Sequence, residues 1–211
     1  MLSGIPGECD NWYAEMAEWL PSIFHLQPPT GVVRIRYDRF SPYHTRPEAF
    51  GLTLEPSRAY AYVYPLPKES LMRLAYSFED GRQLGMHVHR AVQRQTGQQA
   101  LQETVQLWNE LWRSSRPLLH VRDDGEQLQI TDTRPCARQS IWAVQRLEAE
   151  IYRLCDTAQT PAALLKHLSA RAGADVSLHE METALGTLCE QKLILRFSGK
   201  LLSLGVNCNG A

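Results

Sequence analysis

The chain has 211 residues, 44% hydrophobic and 21% charged, enough for one large domain or two small ones. A net charge of −1 and a pI near 6.7 give no sign of the clustered basic surface that nucleic-acid binding requires. No apolar run reaches the length of a membrane span, and no basic segment followed by an apolar signal core opens the chain. Five scattered cysteines (Cys9, Cys136, Cys155, Cys189 and Cys208) form neither a C-x-x-C pair nor a disulfide framework, so the reducing cytoplasm is the default compartment.

The first stretch, "LSGIPGECDNWYAEMAEWLP", reads as a short strand, a turn at Pro6-Gly7 and a helix capped by Asp10. Trp12, Met16, Trp19 and Leu20 fall on one side of that helix. One short strand cannot bury such a face, so further structure is expected to precede Met1. "VVRIRY" alternates as a strand over 32–37, which completes a βαβ order and predicts a parallel sheet of an α/β protein. The following stretch, "DRFSPYHTRPEAFGLTLEPSRAYAYVYPLP", carries five prolines and many aromatics, and is expected to pack over the end of a sheet. Residues 67–114 read as helical, with Leu71, Leu74, Ala75 and Phe78 on one face and Leu101, Val105, Trp108 and Trp112 on another.

Residues 115–211 form a module of their own. "PLLHVRDDGEQLQITDTRP" predicts a β-hairpin with a tight primed turn at Asp124-Gly125. Three helices are expected next: one over 141–155, one starting at Thr160-Pro161, and one starting at Ser177, where Glu180 completes a capping box. "LILRFSGKLLSLG" closes the module as two short strands, so the whole order is winged-helix-like.

Few residues carry an obvious chemistry. His87 and His89 in "MHVHR" diverge on a helix and read as surface histidines; His25, His44, His120, His167 and His179 are isolated. No G-x-S-x-G elbow is present, and Cys9, between Glu8 and Asp10, reads as structural. "GIPGE" is more specific: Gly4 and Gly7 let backbone approach a ligand, Pro6 stiffens the turn, and Glu8 offers a carboxylate at a strand's C-terminal end. A plain βα turn has the same composition. The third helix of the module, with Glu180, Glu182 and Glu190, is too acidic to read DNA. An edge strand of the first hairpin suits β-augmentation by an extended peptide, with Arg122 and Arg134 placed for acidic side chains on it. A purely structural cap fits the same pattern.

"LSGIPGE", "RIRYDRFSPYHTRPEAFGL", "AYAYVYPLP" with "LAYSF", and "RDDGEQLQITDTRP" together resemble the C-terminal half of the cobalamin-dependent radical SAM proteins that mature ribosomally made peptides (RiPP maturation radical SAM proteins). The likeness runs through nearly the whole chain. It implies that residues 1–66 are the end of a radical SAM barrel, that 67–114 connect, and that 115–211 resemble leader-peptide recognition domains. It places Gly4, Ile5, Pro6, Gly7 and Glu8 in the vicinity of S-adenosylmethionine. The family's reaction, methylation of an unactivated carbon in a precursor peptide, uses S-adenosylmethionine, a [4Fe–4S] cluster and cobalamin. The chain has no C-x-x-x-C-x-x-C triplet and no cobalamin domain, and such a cluster needs thiolate ligands, so the chain alone is expected to be inactive and to bind none of these cofactors by itself. It would begin inside the barrel, as a fragment or as a subunit completed by a separate polypeptide, with a precursor peptide as partner. The alternative is a stand-alone module that presents such a peptide to another enzyme. A winged-helix transcription factor ranks below both.

Overall fold

The computed structural model describes residues 1–82, 96–172 and 176–207. It is a mixed α/β structure built from several small sheets, and the described residues form no closed barrel. In chain order the elements are β1 (Leu2–Ser3), α1 (Asp10–Trp19), β2 (Val33–Arg34), β3 (Tyr37–Asp38), α2 (Pro42–Thr45), β4 (Leu54–Pro56), α3 (Ala59–Val63), α4 (Lys68–Leu74), β5 (Ser77–Asp80) and α5 (Thr96–Ser114). There follow β6 (Leu119–Asp123), β7 (Gln127–Asp132), β8 (Ile141–Gln145), α6 (Arg146–Leu154), α7 (Pro161–Ala172), α8 (Leu178–Glu190), β9 (Ile194–Phe197), β10 (Lys200–Ser203) and β11 (Val206–Asn207). Two compact units divide the chain: Met1–Ala17 with Pro29–Val105, and Glu18–Pro28 with Gln106–Ala211.

In the first unit β1 and β2 pair in parallel, Leu2 with Val33 and Ser3 with Arg34, with α1 between them in sequence. The βαβ order is therefore present, but in strands of two residues. The expected strand over 32–37 is split into β2 and β3, which belong to different sheets. Asp10 does not cap its own helix. Its carboxylate accepts from the backbone N–H groups of Gly97 and Gln98 at 2.8 and 3.0 Å, and so caps the N-terminus of α5. Gly97 makes this approach possible, because a Cβ there would lie 2.0 Å from the Asp10 carbonyl oxygen. The face expected on α1 is buried in part: Leu20, just past the helix, is buried and Met16 and Trp19 are half-buried, but Trp12 is exposed, and Tyr13 is the buried residue within α1.

The antiparallel sheet β3-β5-β4 carries a small core of Tyr37, Leu52, Ala75 and Phe78. Sequence periodicity put Phe78 on a helix with Leu71 and Leu74, but α4 stops at Leu74. Arg39 accounts for the stop. Its guanidinium donates to the carbonyls of Ala75, Met72 and Arg73 at 2.7, 2.6 and 3.1 Å, satisfying the exposed end of the helix. The chain then enters β5, where Phe78 and Asp80 point inward in strand alternation.

The second unit is a four-stranded sheet, β11-β6-β7-β8, covered by α6, α7 and α8, with the β9-β10 hairpin beside it. Leu119, Val121, Leu128, Ile130, Trp142 and Val144 form the inward face of the sheet. The helix expected over 141–155 is corrected here: 141–145 is a strand, and α6 begins only at Arg146. Trp142 and Val144 are buried while Ile141, Ala143 and Gln145 are exposed, an alternation with period two that outweighs the helical reading. The expected starts of the next two helices are present. Thr160 Oγ1 accepts from the Ala163 N–H at 3.2 Å, and Ser177 with Glu180 forms the capping box. The hairpin turns tightly at the expected place, one residue further on: the Asp124 N–H bonds to the Gln127 carbonyl at 3.3 Å, and Gly125, with a φ of 92°, is the first of the two residues between them.

Arg134 and Asp132, both with fully buried side chains, sit under this unit as an ion pair. Arg134 donates to the two Asp132 oxygens at 2.8 and 2.6 Å, to the Lys192 carbonyl at 3.0 Å, and to the Ser22 carbonyl. Arg134→Met leaves a buried carboxylate unpaired and is expected to cost about 3–5 kcal/mol in urea unfolding of the full chain. The double variant Asp132→Leu/Arg134→Met is expected to regain part of that loss. It does not regain all, because the Ser22 and Lys192 carbonyls lose their donor at about 1 kcal/mol or more each.

Candidate functional site

The turn after β1 is built as its composition demands. Gly4 and Gly7 have φ of +76° and +92°, a region that favours glycine. Glu8 folds back over the turn: its Oε2 accepts from the Ile5 N–H at 2.9 Å and from the Tyr13 hydroxyl. The same hydroxyl accepts from the Gly4 N–H at 2.6 Å. Tyr13 is buried, and its burial and then its bond to Glu8 raise its pKa above the ordinary value. The side chain of Arg34 backs Gly4, with its Cγ 3.3 Å from where a Cβ would stand, whereas beside Gly7 there is no atom within 4 Å. One carboxylate oxygen is thus committed to the turn, and the open approach is to backbone at Gly7. The structure brings Gly4, Ile5 and Glu8 together through Tyr13, a residue that sequence reasoning did not single out.

In the second unit Arg122 and Arg134 part company. Arg122 is exposed on the outer face of the sheet. Arg134 is wholly buried and engaged with Asp132, Ser22 and Lys192, so its guanidinium does not face a partner. The first hairpin also has no unpaired strand to offer as expected: β6 has β11 along it, and β7 lies between β6 and β8. Among the described residues the edge strands of this sheet are β11, two residues long, and β8, the longer edge and the segment that periodicity read as a helix. The Asp132 N–H bonds to the Ser140 carbonyl at 2.9 Å, which fixes the phase of the ladder. Even-numbered residues of β8 therefore bond to β7, and the backbone groups of Ile141 and Ala143 point outward. Arg122, Gln129 and Ala143 lie in one row across the exposed face.

A polar cavity of about 220 Å³ opens on the same unit, lined by Asp123, Tyr152, Arg153, Asp156, Ser203 and Asn207 among others. Arg153 grips Asp123 with two bonds of 2.8 and 2.7 Å and reaches Glu150 at 2.6 Å. That grip holds the Asp123 carboxyl at about 2, well below the usual carboxylate range. Tyr152 is buried, accepts from the Gly205 N–H at 2.9 Å, and is pushed up to about 12 by burial. Gly205 passes so close that a Cβ would stand 2.6 Å from the Tyr152 oxygen.

Among the described residues Cys9, Cys136, Cys155 and Cys189 are free thiols, and no group of three or more His, Cys, Asp or Glu is arranged to hold a metal ion. His87 and His89 lie outside the described residues. No helix of the described chain is long and apolar enough to cross a membrane. In comparisons with known proteins, no family model, no curated protein and no solved structure matches this chain.

Tyr13 is the test of the turn. Tyr13→Phe removes the hydroxyl that joins Gly4 to Glu8 and leaves the ring in place. It is expected to destabilise the first unit by about 1–2 kcal/mol, read as a lowered urea midpoint, while Trp12→Phe on the exposed side leaves the midpoint unchanged.

Proposed function

We propose that this chain is the C-terminal part of a cobalamin-dependent radical SAM enzyme that C-methylates a ribosomally synthesised precursor peptide, and that its second unit is the winged-helix-like module that binds the peptide. The observation that carries the peptide-binding half is the outer edge of β8, with outward backbone groups at Ile141 and Ala143, in a three-strand meander followed by three helices. An extended peptide adds to such an edge by main-chain hydrogen bonds and is sorted by its alternate side chains. The enzymatic half rests on the resemblance of the blocks around Gly4–Glu8 and Arg34–Leu52. In that reading residues 1–66 are the end of the barrel, and backbone at Gly7 faces S-adenosylmethionine. The residues present do not fit the iron–sulfur cluster, because the cysteine triplet is missing, so the thiolates would come from elsewhere in the assembly. The alternative, a stand-alone module that presents the peptide to another enzyme, uses the same β8 edge and needs no cofactor.

Fluorescence anisotropy of the full chain with labelled peptides encoded by small reading frames beside its gene tests the binding half. Saturable binding is expected. Ala143→Pro, which removes an outward N–H and leaves the β7 ladder intact, is expected to weaken it about tenfold or more. If none of these peptides binds, or if Ala143→Pro binds as well as the parent, the edge is not the site.

A further inference from the structure

The segment Glu18–Pro28 runs through the second unit as a strap with its own set of clamps. The Trp108 indole N–H is shared between the Phe24 and Leu26 carbonyls at 3.0 Å each, and the Trp108 ring stacks on Phe24 at 5.1 Å. Arg134 donates to the Ser22 carbonyl, and the Cys136 thiol to the Pro21 carbonyl at 3.3 Å. In the middle of these clamps sits His25, 5% exposed, with neither ring nitrogen hydrogen-bonded. A neutral imidazole tolerates that site at a modest cost. An imidazolium there loses its hydration and gains only the Leu204 backbone and a carboxylate that Arg134 already holds.

The groups that face it explain why. Arg134 presents a fixed positive charge, and His120 of β6 adds a second ionisable base. Asp132 is close enough to attract a proton to His25, but its two oxygens are already taken by Arg134. The backbone of Leu204 also favours the cation. Burial first, and Arg134 second, outweigh both and hold His25 at about 4 instead of the ordinary 6.5.

We propose that His25 is an acid-sensitive latch: the strap stays docked while the imidazole is neutral, and protonation releases it from the core of the second unit. The sign follows from linkage. The released strap binds a proton at the ordinary imidazole value and the docked strap only near 4, so docking is fully favoured above about pH 6.5 and weakens as the pH falls toward 4. Each pH unit inside that window weakens docking about tenfold, a loss of roughly a hundredfold between pH 7 and pH 4. Strap residues are expected to open before the sheet and helices, because the clamps next to His25 are the ones loosened.

The experiment is an NMR titration of the full chain from pH 7.5 to 4, following the His25 ring proton and the Trp108 indole N–H, with the Trp142 indole N–H as an internal reference in the same unit. The expected result is that His25 titrates below about pH 5.5 and that the Trp108 signal shifts or broadens with it, while Trp142 is unchanged. In His25→Leu and His25→Met the Trp108 signal is expected to hold through the range. The latch is overturned if His25 titrates near 6.5 with Trp108 unmoved. It is equally overturned if Trp108 and Trp142 change together, or if the variants lose the Trp108 signal at the same pH as the parent. Should neither variant fold, the titration of the unaltered chain decides alone.

Discussion

The second unit depends on one buried guanidinium. Arg134 gathers a carboxylate from the end of β7, a carbonyl from the strap at Ser22 and a carbonyl from Lys192 just before β9, so three stretches distant in sequence meet at a single head group. A charge with no exposure is tolerable only when its donors are satisfied and its partner carries the opposite charge in good geometry. The fork of an arginine supplies both; a lysine at the same place would offer a point charge and lose the bidentate grip on Asp132. The pair also sets the character of its surroundings. Because both Asp132 oxygens are bound by Arg134, burial and the Arg134 charge outweigh the pull of Asp132, and that is the setting in which His25 stays neutral.

Much of this unit was legible in the sequence, for reasons that can be named. Thr160-Pro161 and Ser177 with Glu180 mark helix starts by local hydrogen bonding, and both do so in the structure. The hairpins at Gly125 and Gly199 announced themselves by residues that accept positive φ. What failed was the reading of a short apolar run. "IWAVQRLEAEIYRL" supports a helix throughout if its apolar positions are counted with a tolerant period. The first five residues instead pair with β7, and a third strand is worth more to the sheet than one further turn to the helix. Likewise Phe78 matched the spacing of Leu71 and Leu74, and only a residue far away in sequence, Arg39, decides that the helix ends first. Arg134 illustrates the same blindness. An arginine beside a hairpin reads as a surface group until the chain that covers it is known.

The first unit shows the opposite balance. Its blocks carry the resemblance, yet several of the residues in them have plain local duties: Arg39 closes α4, Ser41 caps α2, and Gly51 ends a turn of 3-10 helix over Pro47–Phe50 with a φ of 63°. Its core is small, and Phe40 and Tyr62 are 78% and 89% exposed. The aromatic stretch expected to pack over a sheet end therefore leaves much of its apolar surface in water. The Asp10 cap on α5 and the close contact at Gly97 add ties within this unit that do not depend on hydrophobic burial.

The turn from Gly4 to Glu8 is where sequence and structure differ most in what they say about chemistry. A carboxylate at the C-terminal end of a strand reads as an offer to a ligand. Here one of its oxygens closes the turn on Ile5 and Tyr13, and the carboxylate serves to hold the two left-handed glycines in place. What the turn leaves accessible is the main chain at Gly7, with no atom standing over it. A ligand approaching this turn would be read by shape and by backbone dipoles, with Glu8 acting as the brace that keeps those dipoles fixed. Glu8 and Tyr13 hold the turn in shape, and the exposed main chain at Gly7 is what that shape presents.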